Sequence, residues 1–105
     1  MTELAKAEGT EDVTNTGDLV GTLRYMAPER FRGQSGPRSD VYGLGVTLYE
    51  LLTLRPAFEA TDRAELIRLV TREDPPRPRK IDRRIPSDLE TIVLKAMDKD
   101  PLHRY

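Results

Sequence analysis

Residues 39 to 54 constrain the fold of this chain more than any other stretch. Ser39 or Asp40 is placed to cap a helix, Pro56 stops the pattern just after Arg55, and no proline interrupts the run between them. Val41, Tyr42, Leu44, Val46, Leu48, Tyr49, Leu51, Leu52 and Leu54 then surround most of the helical circumference instead of forming a stripe. A helix apolar nearly all round is stable in water only when buried on nearly every side, so it needs neighbours around it. With 105 residues the chain has material for one such core and not for two independent domains.

The neighbours are short. Pro28-Glu29-Arg30-Phe31 predicts a helix of at most two turns before Gly33 to Pro37 break it. A second begins at Thr61 or Asp62, with Glu65 placed to complete a capping box, and presents Leu66, Ile67, Leu69 and Val70. Its outer face carries Arg63 and Arg68, and the prolines of Pro75-Pro76-Arg77-Pro78-Arg79-Lys80 predict an extended crossing after it. The last helix starts near Ser87, where Ser87 and Glu90 form a Ser-x-x-Glu box and Leu89, Ile92, Val93, Ala96 and Met97 share a face, and Asp100-Pro101 ends it. Residues 1–20 are polar, show neither a helix nor a strand period, and read as a loop. No internal repeat and no strand is predicted, so the fold class is mainly α, helices around a buried central helix. Three modest helices cover that helix only in part, which points to a missing remainder.

Several function classes are excluded. Lys and Arg number 17 against 18 Asp and Glu, so no global field draws the chain to nucleic acid or to an anionic membrane. The apolar stretches are too short to span a bilayer, the N-terminus has no apolar signal region, and the lack of cysteine fits a reducing compartment; the expected setting is cytoplasmic. His103 stands alone, without a second histidine or a cysteine to share a metal. Gly43-Leu44-Gly45-Val46-Thr47-Leu48 lacks the third glycine of a phosphate loop and lies inside the central helix, and no Walker-type run is present. The basic stretch from Arg77 to Arg84 reads as a solvated linker.

Three signatures at consistent spacing carry a resemblance: Gly21-Thr22-Leu23-Arg24-Tyr25-Met26-Ala27-Pro28-Glu29, then Ser39-Asp40-Val41-Tyr42-Gly43-Leu44-Gly45, then Asp100-Pro101-Leu102-His103-Arg104. Together they resemble the C-lobe of bacterial serine/threonine protein kinases of the eukaryotic type. The resemblance implies a partial protein kinase domain over residues 1–105, with the activation segment in 1–29, a helical C-lobe portion in 30–105 and the N-lobe absent. It implies a buried pair between Glu29 and Arg104, and for Asp40 a place at the start of the central helix, where such kinases fix their catalytic loop. Without that loop, Asp40 reads as an ordinary carboxylate favoured by the helix dipole. It further implies that Thr22 accepts a hydroxyl-bearing substrate, that Leu23, Tyr25 and Met26 line a substrate pocket, and that Thr14 and Thr16 are activation-loop phosphosites.

Phosphoryl transfer needs a glycine-rich cover for the phosphates, a lysine, metal-holding Asp and Asn, and a base. None is assignable in these 105 residues, so no catalytic, cofactor-binding or metal-ligating residue is named, although the family uses ATP and Mg²⁺. Where such kinases read Asp-Phe-Gly-Leu-Ala-Lys, this chain reads Met1-Thr2-Glu3-Leu4-Ala5-Lys6, and Glu3 falls at the glycine position. The expected function is that of a serine/threonine kinase fragment, inactive by itself. The alternative is a non-catalytic protein-binding module or a kinase relic, with a protein substrate or a complementing kinase segment as partner.

Overall fold

A computed structural model describes residues 21–105, and among them it is helical, without a strand. A 3-10 helix over Pro28–Arg32 opens with proline in its first turn, where the missing N–H costs nothing. It closes on Gly33, whose φ of +81° suits glycine and lets its N–H reach the Arg30 carbonyl. Helix α1, Pro37–Thr53, follows, then α2, Arg63–Arg72, the single turn α3, Pro78–Ile81, and α4, Ser87–Ala96. A last 3-10 turn spans Pro101–His103, with the Asp100 carboxylate accepting from the Leu102 N–H.

α1 is the axis. Tyr42, Val46, Tyr49 and Thr53 recur at helical spacing along its buried stripe, joined in one core by Ala27, Ala57, Phe58, Leu66, Val70, Val93 and Met97. Each large apolar side chain so buried contributes about 1.5–3 kcal/mol. α4 lies along α1, and Gly45 permits that approach: a Cβ there would stand 2.9 Å from the Ala96 Cβ and 3.0 Å from the Met97 Cγ. The glycines of residues 43–45 therefore serve close packing; at Gly43 a Cβ would stand 3.3 Å from the Tyr25 carbonyl oxygen.

α1 is covered only in part, as three modest helices predict: Leu44 is 71% exposed, Leu51 69% and Leu54 87%. The short neighbours cover one side only, because the described helices all gather about the Tyr42–Tyr49 stripe. α1 also starts at Pro37, two residues early, and neither Ser39 nor Asp40 caps it. Instead the Ser39 hydroxyl donates to Glu29. Its end comes at Thr53, where Leu54 takes the left-handed conformation and donates its N–H to the Glu50 carbonyl.

For α2 the cap is Asp62, which accepts the Glu65 N–H at 2.8 Å. The stretch 75–80 is not wholly extended, since Pro78 opens the turn α3 and is itself buried. Nor is there a capping box at α4: Pro86 precedes the helix, and Glu90 reaches to Arg77 and Arg79 instead of back to Ser87. On α4 the core face narrows to Val93, Ala96 and Met97, with Ile92 43% exposed.

Replacing Gly45 with valine should wedge α4 off α1. The expected loss is about 1–3 kcal/mol, the range for overpacked cores, read from the midpoint of urea unfolding. An unchanged midpoint would mean that the two helices do not meet as described.

Candidate functional site

Glu29 and Arg104 meet where the 3-10 helix, the start of α1 and the end of the chain converge. Arg104 donates from Nη1 to Glu29 Oε2 at 2.8 Å and from Nη2 to Oε1 at 3.0 Å, a two-pronged geometry. Its remaining donors go to carbonyls: Nε to Asp98 at 2.7 Å, Nη1 to Arg38 at 2.9 Å and Nη2 to Lys99 at 3.4 Å. All five guanidinium N–H groups thus have acceptors. The Ser39 hydroxyl adds a 2.6 Å bond to Glu29 Oε2, and the guanidinium lies 5.0 Å above the Tyr42 ring. Both side chains are almost wholly out of water, 0% and 5% exposed. A buried charge is tolerated only when paired and hydrogen-bonded in this manner.

Burial alone would push the Glu29 carboxyl up, but the hydrogen bonds from Arg104 and Ser39 outweigh it and bring it down to about 2 from an ordinary 4.5. Tyr42, beneath the pair, is wholly buried with no hydrogen-bond partner for its hydroxyl among the described residues, and burial pushes that group well above the ordinary phenol range.

A second cluster holds the segment just ahead of the 3-10 helix. Arg24 Nε donates to Glu50 Oε2 at 2.8 Å, and the Tyr25 hydroxyl donates to Glu50 Oε1 at 2.7 Å. The Arg24 guanidinium covers the Tyr25 ring at 4.8 Å, and its Nη2 donates to the Tyr25 oxygen at 2.9 Å. Backbone turns from Tyr25 to Thr22 and from Met26 to Leu23 complete the bend. Thr22 is exposed at its outer edge, Leu23 and Tyr25 pack against the core, and Met26 is half-buried. Tyr25 also lines an open cavity of about 470 Å³ with Thr47, Glu50, Leu51, Leu54, Arg55 and Pro56.

Asp40 sits exposed in the first turn of α1, with no hydrogen bond or ion pair among the described residues. Thr14 and Thr16 lie outside the described residues. Sequence reasoning missed Ser39 as a partner of Glu29, Arg24 as a partner of Glu50, and Glu50 itself altogether. Glu50 carried a signal, as the one charged residue between Val41 and Leu54. Among the described residues there is no group of three or more His, Cys, Asp or Glu that could hold a metal ion.

Because the folded Glu29 carboxyl lies below its unfolded value, its stabilisation is present above about pH 4.5 and is lost as pH falls towards 2. Unfolding free energies measured from pH 6 downward should fall across that window, by an amount reaching about 3 kcal/mol. In the Glu29→Gln variant that part of the fall should disappear. At neutral pH, Arg104→Met strands a buried carboxylate and should cost about 3–5 kcal/mol in urea unfolding, partly restored by adding Glu29→Gln. A loss below 1 kcal/mol would mean the carboxylate is hydrated.

Comparison with known proteins places this geometry. A family model described as protein kinase domain matches residues 4–105. Serine/threonine-protein kinase PknB of Mycobacterium tuberculosis is 41% identical over 102 residues, 96% of this chain and 16% of that protein. A probable serine/threonine-protein kinase of Streptomyces coelicolor, SCO3848, is 40% identical over 105 residues, 97% of this chain and 16% of its own length. Serine/threonine-protein kinase PrkC of Bacillus subtilis is 34% identical over 103 residues, with 97% and 16% covered. The chain therefore spans about one-sixth of the length of these relatives. With a family model matched over all but its first three residues, the chain belongs to the protein kinase domain family.

Proposed function

We propose that this chain is the substrate-facing part of a serine/threonine protein kinase's helical lobe, serving transfer of the ATP γ-phosphate to protein Ser or Thr. The carrying observation is the Arg104–Glu29 clamp, which fixes the chain three residues after Met26 and so sets where Thr22 to Met26 stand. In this reading Thr22 meets the hydroxyl-bearing substrate, and Leu23, Tyr25 and Met26 shape the pocket beside it. Glu50, holding Arg24 and Tyr25 from α1, keeps that segment from shifting. Misplacement by about 1 Å is enough to cost roughly 100-fold in rate when a substrate must be aligned for transfer.

The nucleotide, Mg²⁺ and catalytic base act from groups that residues 21–105 do not carry, so the chain by itself positions and does not transfer. Thr14 and Thr16 are assigned as phosphosites in this reading, where a phosphate would add about −1.5 to −2 charge to the segment before Thr22. The lack of cysteine fits the reducing cytoplasm.

The test is a chimera: the Mycobacterium tuberculosis kinase carrying residues 21–105 of this chain in place of its own matched stretch. It should phosphorylate a generic Ser/Thr acceptor, and Glu29→Gln within it should slow the reaction by roughly 100-fold. A chimera that folds with an unchanged melting temperature yet transfers no phosphate would overturn the catalytic reading. The non-catalytic binding module, supported by the exposed Leu44 and Leu51 of α1, would then take its place.

A further inference from the structure

Between Arg77 and Arg84 the sequence places five cations, Arg77, Arg79, Lys80, Arg83 and Arg84, against the single carboxylate of Asp82. The stretch is not the solvated linker that its prolines predict. The Tyr49 hydroxyl donates to the Pro76 carbonyl at 2.6 Å, and Pro78 is fully buried. Glu90, only 9% exposed at its side chain, accepts the Arg79 backbone N–H at 2.9 Å and Arg77 Nη2 at 3.2 Å. The backbone bearing the cations is therefore held from below by two helices, α1 and α4.

Above it lies an open groove of about 810 Å³, lined by Arg77, Arg79, Lys80, Ile81, Arg83 and Glu90. Arg77 is occupied by Glu90, and Arg84 by Asp82 at 3.0 Å. Arg79, Lys80 and Arg83 are exposed and form no ion pair among the described residues. Three cations without an ion pair of their own, on a preorganised backbone, cost little further ordering when an anion arrives.

We propose that this groove is a docking surface for an acidic peptide segment carrying phosphothreonine. A phosphate brings nearly two charges and three acceptor oxygens to one point, matching two guanidinium forks and an ammonium converging on one groove. The whole chain carries a net charge of −1, so nucleic acid would meet repulsion beyond this patch, whereas a short peptide meets only the groove. A concave groove with Ile81 among its walls likewise suits an extended peptide better than a planar lipid surface. The chain supplies a probe of this chemistry: residues 8–18 hold Glu8, Glu11, Asp12 and Asp18 beside Thr10, Thr14 and Thr16, with no basic residue. The docking does not depend on the kinase reading, since it requires no phosphate transfer by this chain.

The experiment is fluorescence anisotropy of the labelled peptide of residues 8–18, phosphorylated at Thr14 and Thr16, titrated with the full 105-residue chain at low salt. Saturable binding is expected, weakened about tenfold by the triple variant Arg79→Ala, Lys80→Ala, Arg83→Ala and again by 0.3 M salt. The triple variant should melt at the unchanged temperature, because all three side chains are exposed, so loss of binding is not loss of fold. Equal binding of the unphosphorylated peptide, or no effect of the triple variant, would overturn the proposal. So would tighter binding to phosphatidylserine vesicles or to single-stranded RNA, which would reassign the surface to that partner.

Discussion

The described fold depends on one ion pair that spans 75 residues of sequence. Glu29 lies in the 3-10 helix that precedes α1, and Arg104 follows the 3-10 turn Pro101–His103, so their bond joins these two turns across the helices between them. An apolar pair of the same volume would fill this space. It would not serve the carbonyls of Arg38, Asp98 and Lys99, which reach the same point from the first turn of α1 and the loop after α4. The Asp98 and Lys99 carbonyls lie in the loop after α4, outside any helix, and need donors, and a guanidinium supplies five in a rigid fork. The arginine ties that loop to the first turn of α1, and the carboxylate allows its charge to be there.

Around that closure α1 acts as an axis with two unlike sides. One side, Tyr42 to Tyr49, is packed by α4, by α3 and by Leu66 and Val70 of α2. The other shows Leu44 and Leu51 to solvent in the described residues. Exposed leucines at i and i+7 lie on the same face two turns apart. Apolar residues on both sides are what made the sequence pattern of this helix lose its stripe.

That pattern explains how much could be read in advance. Helical class, the axis, and the approximate places of α2 and α4 follow from apolar period and proline stops, and the structure has them. The pairing of Glu29 with Arg104 is what the kinase resemblance implies, and the structure sets the two side chains 2.8 Å apart. The caps failed for a physical reason: a capping residue is predicted from what its own helix needs, while Ser39 and Glu90 are spent on groups from other elements. Ser39 serves Glu29, and Glu90 serves the Arg77–Arg79 backbone. Local rules see a serine or glutamate at a helix start and assign it inward. Tertiary demand from ten or more residues away decides otherwise. The same limit hid Glu50, whose partners Arg24 and Tyr25 lie twenty-six and twenty-five residues earlier.

Glu29, Glu50 and Glu90 share one device. Each is a largely desolvated carboxylate on or beside a helix, and each accepts from an arginine and from one further donor: the Ser39 hydroxyl, the Tyr25 hydroxyl and the Arg79 N–H. Each thereby immobilises an irregular stretch, the chain around Arg104, residues 24–25 and residues 77–79. Burial pushes Glu29 and Glu50 up and their donors outweigh it, while at Glu90 the Arg79 N–H leads in holding the carboxyl low. Apolar packing alone orients helices and leaves the loops between them free, because a loop has too little apolar surface to bury. Loops that must present side chains to a partner need a fixed backbone, and a short ionised side chain reaching out of a rigid helix provides that at one point. The surfaces given functions above, Thr22 to Met26 and Arg77 to Arg83, are each anchored by such a carboxylate, so this fold can present them without a larger core.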